Sequence, residues 1–187
     1  MWWAALLNTV LGSLSSGVAA ATGSFESIAT ISPSSASVSF TSIPSTYQHL
    51  QIRYLARVTS AITLGDINVR FNNDSGSNYA WHFLRGSGAS ASVSASSSST
   101  SIQANDILTG ANSASNVFAV GIIDIHDYAS TTKNKTARLF TGNDQNGSGY
   151  SSLSSGLWMN TSAINRIDIT QTFASGSVFA LYGIKGA

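Results

Sequence analysis

The stretch His49-Leu50-Gln51-Ile52-Arg53-Tyr54 indicates the fold class of this chain. Leu50, Ile52 and Tyr54 occupy every second position, and polar Gln51 and Arg53 stand between them. Successive side chains of a β-strand point to opposite faces, so this spacing predicts a strand with one buried face and one solvent-facing side. The chain is therefore expected to be built from sheets.

The same alternation recurs elsewhere. Asp66 to Phe71 places apolar residues at every second position, and in Ile164 to Ile169 the residues Ile167 and Ile169 alternate with Arg166 and Asp168. Two further stretches, Val117 to Ile125 and Val178 to Ile184, are apolar on both faces. A strand of that kind is covered twice, so we expect these two stretches to be central or interface strands.

Turn signals separate the runs. Asn72 to Gly76, Asn143 to Gly147 and Ser175-Gly176 are rich in residues that tolerate a positive φ. About ten strands separated by such turns, with no helical pattern after residue 24, are typical of an all-β protein and favour a β-sandwich over residues 25–187. The jelly-roll is the topology that we expect. The uncharged, Ser-rich stretch from Gly86 to Ser101 is predicted to be a flexible loop.

Residues 1–24 contain no charged side chain and form the second predicted unit, an apolar N-terminal arm. Their spacing matches an amphipathic helix of about four turns with a heptad seam. A secretory signal is the weaker interpretation because no Lys or Arg precedes the apolar run, and polar residues interrupt the ~20 apolar positions that a membrane span needs. The stripe of this arm comprises Trp2, Trp3, Leu6, Leu7, Val10, Leu11 and Leu14.

A helix with an apolar face that includes two tryptophans must bury that face against another surface. We predict that it contacts sister subunits or another protein, as an anchor or oligomerisation element. Packing of the arm on its own domain is the alternative.

The composition also predicts association. Charged residues are 9% of the chain, against about 25% in an average soluble domain. A surface that is polar but nearly uncharged is poorly protected against self-association, so we expect a homo-oligomer. The Lys and Arg residues form no cluster, which argues against a nucleic-acid partner, and we expect no membrane partner. The absence of cysteine excludes thiolate metal sites and cysteine nucleophiles.

Candidate catalytic and metal-binding groups are few. Asp124 and His126 project to one side of a predicted strand and Asp127 follows them, yet no third ligand stands at a recognisable spacing. The turns Asn72–Gly76 and Asp144–Gly147 carry oxygen side chains but lack the carboxylates of an EF-hand. No Gly-x-Ser-x-Gly motif or carboxylate pair indicates a hydrolase. We therefore expect a protein that is not an enzyme, with no catalytic residue, metal or cofactor.

Aromatic residues have two interpretations. Tyr79 and Trp81 lie on one face of a predicted strand, and Trp158 occurs later in the chain. Exposed rings of this kind would stack on sugars and form a glycan-facing surface. Buried rings would be part of a sandwich core.

Several phrases together resemble a group of small proteins encoded among the virion genes of tailed bacteriophages. They are SFESIAT (24–30), FTSIPSTYQHLQIR (40–53), RFNNDSGSNYAWH (70–82), IIDIHDYAS (122–130), NGSGYSSLSSGLWMNTSAI (146–164) and SVFALYGIKG (177–186). Members of this group are structural, so the resemblance supplies no catalytic residue. They decorate or cement the capsid or form fibre and tail parts, often as trimers.

The resemblance implies a capsid decoration or cement protein on the virion surface. In that role the sandwich would sit on the shell, and the arm would bundle subunits or bind the major capsid protein or another virion protein. The alternatives are a tail-fibre or spike module that binds host glycans, and a secreted lectin-like module.

Overall fold

The computed structural model describes residues 23–186, which form twelve β-strands in two antiparallel sheets and contain no helix. The large sheet has the spatial order β1-β12-β3-β8-β9-β10-β5-β6. Its strands are β1 (Phe25–Ile31), β3 (His49–Ala56), β5 (Tyr79–Gly86), β6 (Ala91–Ser99), β8 (Ala119–His126), β9 (Lys135–Asp144), β10 (Gly149–Trp158) and β12 (Val178–Ile184). The small sheet has the order β2-β11-β4-β7. Its strands are β2 (Ala36–Phe40), β4 (Leu64–Phe71), β7 (Ile102–Thr109) and β11 (Ile167–Phe173).

One hydrophobic core joins the two sheets, because each sheet turns its apolar alternate residues toward the other. In β3, Leu50, Ile52 and Tyr54 are buried, as the alternation predicted. Rings make the contact between sheets at two places. Phe71 of β4 lies 5.6 Å from Trp158 of β10, and Phe173 of β11 lies 4.6 Å from Phe179 of β12, between ring centroids.

The predicted all-β class is confirmed, and a β-sandwich is compatible with this arrangement. The three predicted turns connect β4 to β5, β9 to β10 and β11 to β12. In the β9–β10 turn, Asn146 and Gly147 have the positive φ values that the sequence indicated. The two stretches that are apolar on both faces become β8 and β12, and both lie inside the large sheet.

The Ser-rich stretch is not a loop, and that prediction was wrong. Ala91–Ser99 is strand β6, at one edge of the large sheet, and pairs with β5. Backbone pairing does not depend on side-chain type, so composition alone missed the strand. Two side chains of β5 also hold serines of β6 by hydrogen bonds. Arg85 Nε donates to Ser92 Oγ at 3.0 Å, and Trp81 Nε1 donates to Ser99 Oγ at 3.3 Å.

The predicted helical arm, with its residues Trp2, Trp3, Leu6, Leu7, Val10, Leu11 and Leu14, lies outside the described residues. Within the described part of the chain, the structure has no helix with the length and apolar character needed to cross a membrane.

Candidate functional site

The outer face of the large sheet carries exposed apolar side chains on six adjacent strands, from β3 to the edge strand β6. Phe140 is 61% exposed and Val93 is 75% exposed. Monomeric proteins rarely expose a contiguous apolar patch unless it binds something. We call this surface the apolar stripe, and it consists of Leu55, Leu84, Val93, Val120, Phe140 and Leu153.

Strand register makes the stripe continuous. Ile122 of β8 pairs with Phe140 of β9, which pairs with Leu153 of β10. Leu153 in turn pairs with Leu84 of β5, and Leu84 pairs with Val93 of β6. Directly opposed residues have neighbouring side chains, so one apolar row crosses five strands without interruption.

A second, shorter row widens the stripe. Leu55 of β3 pairs with Val120 of β8, and Gly142 of β9 follows Val120 in register. Open depressions lie along the two rows. One of about 580 Å³ is lined by Leu84, Val93 and Leu153, and one of about 450 Å³ by Val120, Ile122 and Phe140. The surface therefore offers hollows into which apolar side chains of a partner can fit.

A polar row borders the stripe on the same face. In it, Gln51, Asp124 and Arg138 are successive partners in register. Arg138 Nη2 donates to Asp124 Oδ2 at 2.8 Å, and Gln51 Nε2 donates to Asp124 Oδ1 at 2.8 Å. Burial raises the pKa of Asp124, but these two hydrogen bonds outweigh it and hold the pKa below its ordinary value. The charges of this row thus satisfy one another beside the stripe.

The outer face of the small sheet is different in kind. Ser39 Oγ donates to Asp168 Oδ1 at 2.6 Å, and Arg166 Nη2 donates to the same oxygen at 2.7 Å. On the neighbouring strands, Gln103 Nε2 donates to Asn68 Oδ1 at 2.6 Å. This polar, hydrogen-bonded face is typical of a surface in contact with water, so the two outer faces of the molecule have opposite character.

Of the two interpretations of the aromatic residues, the structure agrees with the core and not with a glycan-facing surface. Tyr79 and Trp158 are fully buried and Trp81 is nearly so. Trp158 Nε1 donates to Asp74 Oδ2 at 2.7 Å, and the Tyr79 hydroxyl donates to the backbone oxygen of Asp74 at 3.1 Å. The rings point inward because β5 and β10 turn these alternate positions to the small sheet, and a buried ring cannot stack on a sugar.

The acidic cluster of β8 does not come together as a site. The carboxylate of Asp124 accepts hydrogen bonds from Arg138 and Gln51, whereas that of Asp127 accepts one from Lys133 Nζ at 2.6 Å. His126 projects to the same face as Asp124, as predicted, and its ring lies 4.9 Å from that of His49. Among residues 23–186, no group of three or more His, Cys, Asp or Glu side chains is placed to hold a metal ion.

The two oxygen-rich turns use their carboxylates within the turn. Asp74 accepts from Gly76 N at 2.8 Å and from Asn78 Nδ2 at 2.9 Å, besides the indole of Trp158. Asp144 accepts from Gly147 N at 3.2 Å. Protein donors therefore occupy the oxygens that a cation would need at Asp74.

Sequence reasoning did not identify the apolar stripe. Leu84 and Leu55 each stand beside a core aromatic residue in the chain, Phe83 and Tyr54, and Leu153 is surrounded by serines. The sequence did contain an indication of the stripe, namely an apolar residue at an alternate position that should face solvent because its two neighbours in the strand face the core. It was visible in β3 once the alternation was established, but only the sheet order shows that such positions from six strands are adjacent.

Comparisons with known proteins add little. No protein-family model and no curated protein matches the chain. Among solved structures, it is similar to a protein of unknown function from Shewanella oneidensis MR-1, at 9% identity over 89% of this chain and 78% of the other, with a TM-score of 0.24. At that identity and TM-score, the similarity supports no inference about fold or function.

Proposed function

We propose that this chain is a non-enzymatic structural protein of a tailed-phage virion, a capsid decoration or cement protein that acts as a homo-oligomer, with a trimer favoured. The phrases quoted from the sequence support the virion assignment. The observation that carries the assembly role is the apolar stripe, whose exposed side chains extend from Leu55 to Val93 across the large sheet.

Burial of the stripe supplies the free energy of assembly in this proposal. Each Å² of apolar surface removed from water contributes about 25 cal/mol before the costs of association are subtracted. The contrast between the two outer faces gives an orientation: the large sheet faces other subunits, and the polar face of the small sheet, with Arg166 and Asn68, faces solvent.

The free edge of the large sheet supports the same role. Strand β6 is nine residues long and contains no charged side chain and no proline. Proteins that remain monomeric protect such edges with charges, prolines or bulges. β6 lacks the first two of these protections and has one register shift, opposite Tyr79 and Trp81.

The jelly-roll topology belongs to this proposal as well. Among the described strands, the β5–β6, β8–β9 and β9–β10 connections stay within the large sheet, and the other connections cross between sheets. Crossing connections are a feature of Greek keys.

The glycan-binding tail module is the alternative, and no observation favours it, because Trp81 and Trp158 are buried. The test of function is the number of copies of this chain in a purified virion, measured by quantitative mass spectrometry against the major capsid protein. Hundreds of copies are expected. A few copies would assign the chain to the tail, and none would end the virion proposal.

A variant that starts at Gly23 tests the arm as the attachment element. It should fold, because residues 23–186 contain the whole described core, yet it should fail to decorate particles that lack the protein. Full-length protein added to the same particles is the control. Normal decoration by the shortened chain would contradict the anchor role of residues 1–22.

A further inference from the structure

The apolar stripe and the N-terminal arm are two apolar surfaces of one chain, and each needs a partner. The stripe is exposed in the structure of residues 23–186. The part of the arm that precedes the described residues, residues 1–22, contains no charged side chain and carries Trp2 and Trp3. Neither surface is suited to water, because both would expose contiguous apolar groups.

Their lengths agree. The heptad spacing of residues 2–18 predicts a helix of between four and five turns, roughly 25 Å long. The stripe runs from Leu55 on β3 to Val93 on β6, and five strand spacings separate these two strands. At ~4.8 Å between neighbouring strands, the stripe is about 24 Å wide. A helix laid across the strands would therefore cover it from end to end.

Contact between the arm and the apolar stripe would also bury no unpaired charge. Burying a charge against an apolar surface is costly unless the charge is paired. The arm brings none, and the charges nearest the stripe, Asp124 and Arg138, are bonded to each other at 2.8 Å. Arg53, in the same row as Ile122, turns its guanidinium away over the rings of Phe25 and Tyr182.

The direction of the chain at the start of β1 favours a neighbouring copy over the same copy. Phe25 pairs with Ile184, and the backbone oxygen of Ser24 accepts from Lys185 N at 2.9 Å. The chain therefore enters the sheet at the end where Ile184 lies. Leu55 and Val120 lie toward the opposite end of their strands. An arm that covered its own stripe would have to reverse at Gly23, whereas an arm that continues outward reaches another molecule.

We propose that residues 1–22 of one copy lie across the apolar stripe of a neighbouring copy. This contact is heterologous, and it closes into a ring when each copy gives its arm to the next, as in a trimer. The inference rests on the proposed assembly role and specifies which surfaces make the contact between subunits.

Cross-linking tests the exchange directly, because the chain has no cysteine of its own. Full-length Leu7→Cys and Val93→Cys proteins that carry tags of different size are co-expressed and treated with a short bismaleimide. A covalent pair containing both tags is expected. Leu84→Cys replaces Val93→Cys in a second experiment, so that one unfavourable position does not decide the result. Leu7→Cys with Ser37→Cys, on the outer face of the small sheet, is the control and should give no mixed pair.

Other outcomes overturn the proposal. Cross-links only between two Leu7→Cys chains would show that the arms bundle with one another. A doubly substituted Leu7→Cys/Val93→Cys chain that reacts only within itself would show that each arm covers its own stripe. The result is separable from the virion assignment: mixed pairs without virion copies refute only the virion role, and virion copies without mixed pairs refute only the exchange.

Discussion

Phe140 and Leu153 face each other across β9 and β10 on the outer side of the large sheet, and 61% and 50% of these side chains are exposed. A directly opposed apolar pair stabilises a sheet by only about 0.2–1 kcal/mol. Their presence is explained if the surface is buried in the assembled protein.

The first prediction concerns these two residues. The Phe140→Ser/Leu153→Ser protein should have a melting temperature that is independent of protein concentration, whereas that of the unchanged chain should rise with concentration. Association with the folded state stabilises it by mass action, and the substitutions remove the associating surface. Scanning calorimetry over a hundredfold concentration range measures this. Equal concentration dependence in both proteins would contradict the role of the stripe.

The second prediction tests the packing beneath the stripe. A Cβ on Gly121 would lie 2.4 Å from the hydroxyl oxygen of Tyr54, in the core. Gly121→Ala should therefore lower the free energy of unfolding by about 1–3 kcal/mol, the usual cost of overpacking. Gly142→Ala is the matched control, because the nearest atom to its Cβ is 3.5 Å away. Urea unfolding should show an unchanged free energy of unfolding for Gly142→Ala. An equal decrease for both variants would contradict the close packing of Gly121 against Tyr54.

Whether a feature of the fold or of the candidate site could be predicted from the sequence depends on whether it arises within one strand or between strands. The alternation in β3 placed Leu50, Ile52 and Tyr54 in the core correctly, because burial of one strand face is a local pattern. The fate of Trp81 and Trp158 was left open, because a strand pattern does not tell which of its faces is covered. The stripe was missed, since Leu84 and Phe140 are 56 positions apart in the chain and meet Leu153 only through the strand order.

The third prediction concerns pH at the Asp74 turn. Burial raises the pKa of Asp74, but hydrogen bonds from Trp158, Asn78 and Gly76 outweigh it, so that the pKa is below its ordinary value of 3.8. A lowered carboxyl pKa in the folded state gives stability that is present above the unfolded pKa and lost as the pH falls through the folded one. The stability difference between the unchanged chain and Asp74→Asn should be constant from neutral pH to about pH 5 and shrink below pH 4.

Urea unfolding, followed by the fluorescence of Trp158 and the other tryptophans, measures this difference at each pH. A difference that grows on acidification would have the wrong sign and would contradict the hydrogen bonding assigned to Asp74. Asp144→Asn, at a turn whose carboxylate accepts from Gly147 N at 3.2 Å, serves as a control for substitution of a turn aspartate.

The fourth prediction concerns Lys135, which is fully buried and donates from Nζ to the backbone oxygens of Lys133 at 2.7 Å and Thr161 at 3.0 Å. Burial lowers the pKa of Lys135 below its ordinary value of 10.5. The unfolded chain therefore binds the proton more tightly, and stability rises with pH through the window below 10.5.

Lys135→Met removes this titration. The difference in unfolding free energy, unchanged chain minus Lys135→Met, should increase between pH 7.5 and pH 10 when both are measured by urea unfolding. Lys133→Met controls for the loss of a nearby exposed positive charge. A difference that does not change with pH, or that decreases, would contradict the burial of the ammonium group.

The central claim is that the outer face of the large sheet is an interface between subunits, and sedimentation equilibrium of the full-length chain tests it most directly. We predict one discrete oligomer at micromolar concentration, with the mass of three chains favoured, and a shift to the mass of one chain for Phe140→Ser/Leu153→Ser. A single chain mass for the unchanged protein at every concentration would contradict the claim.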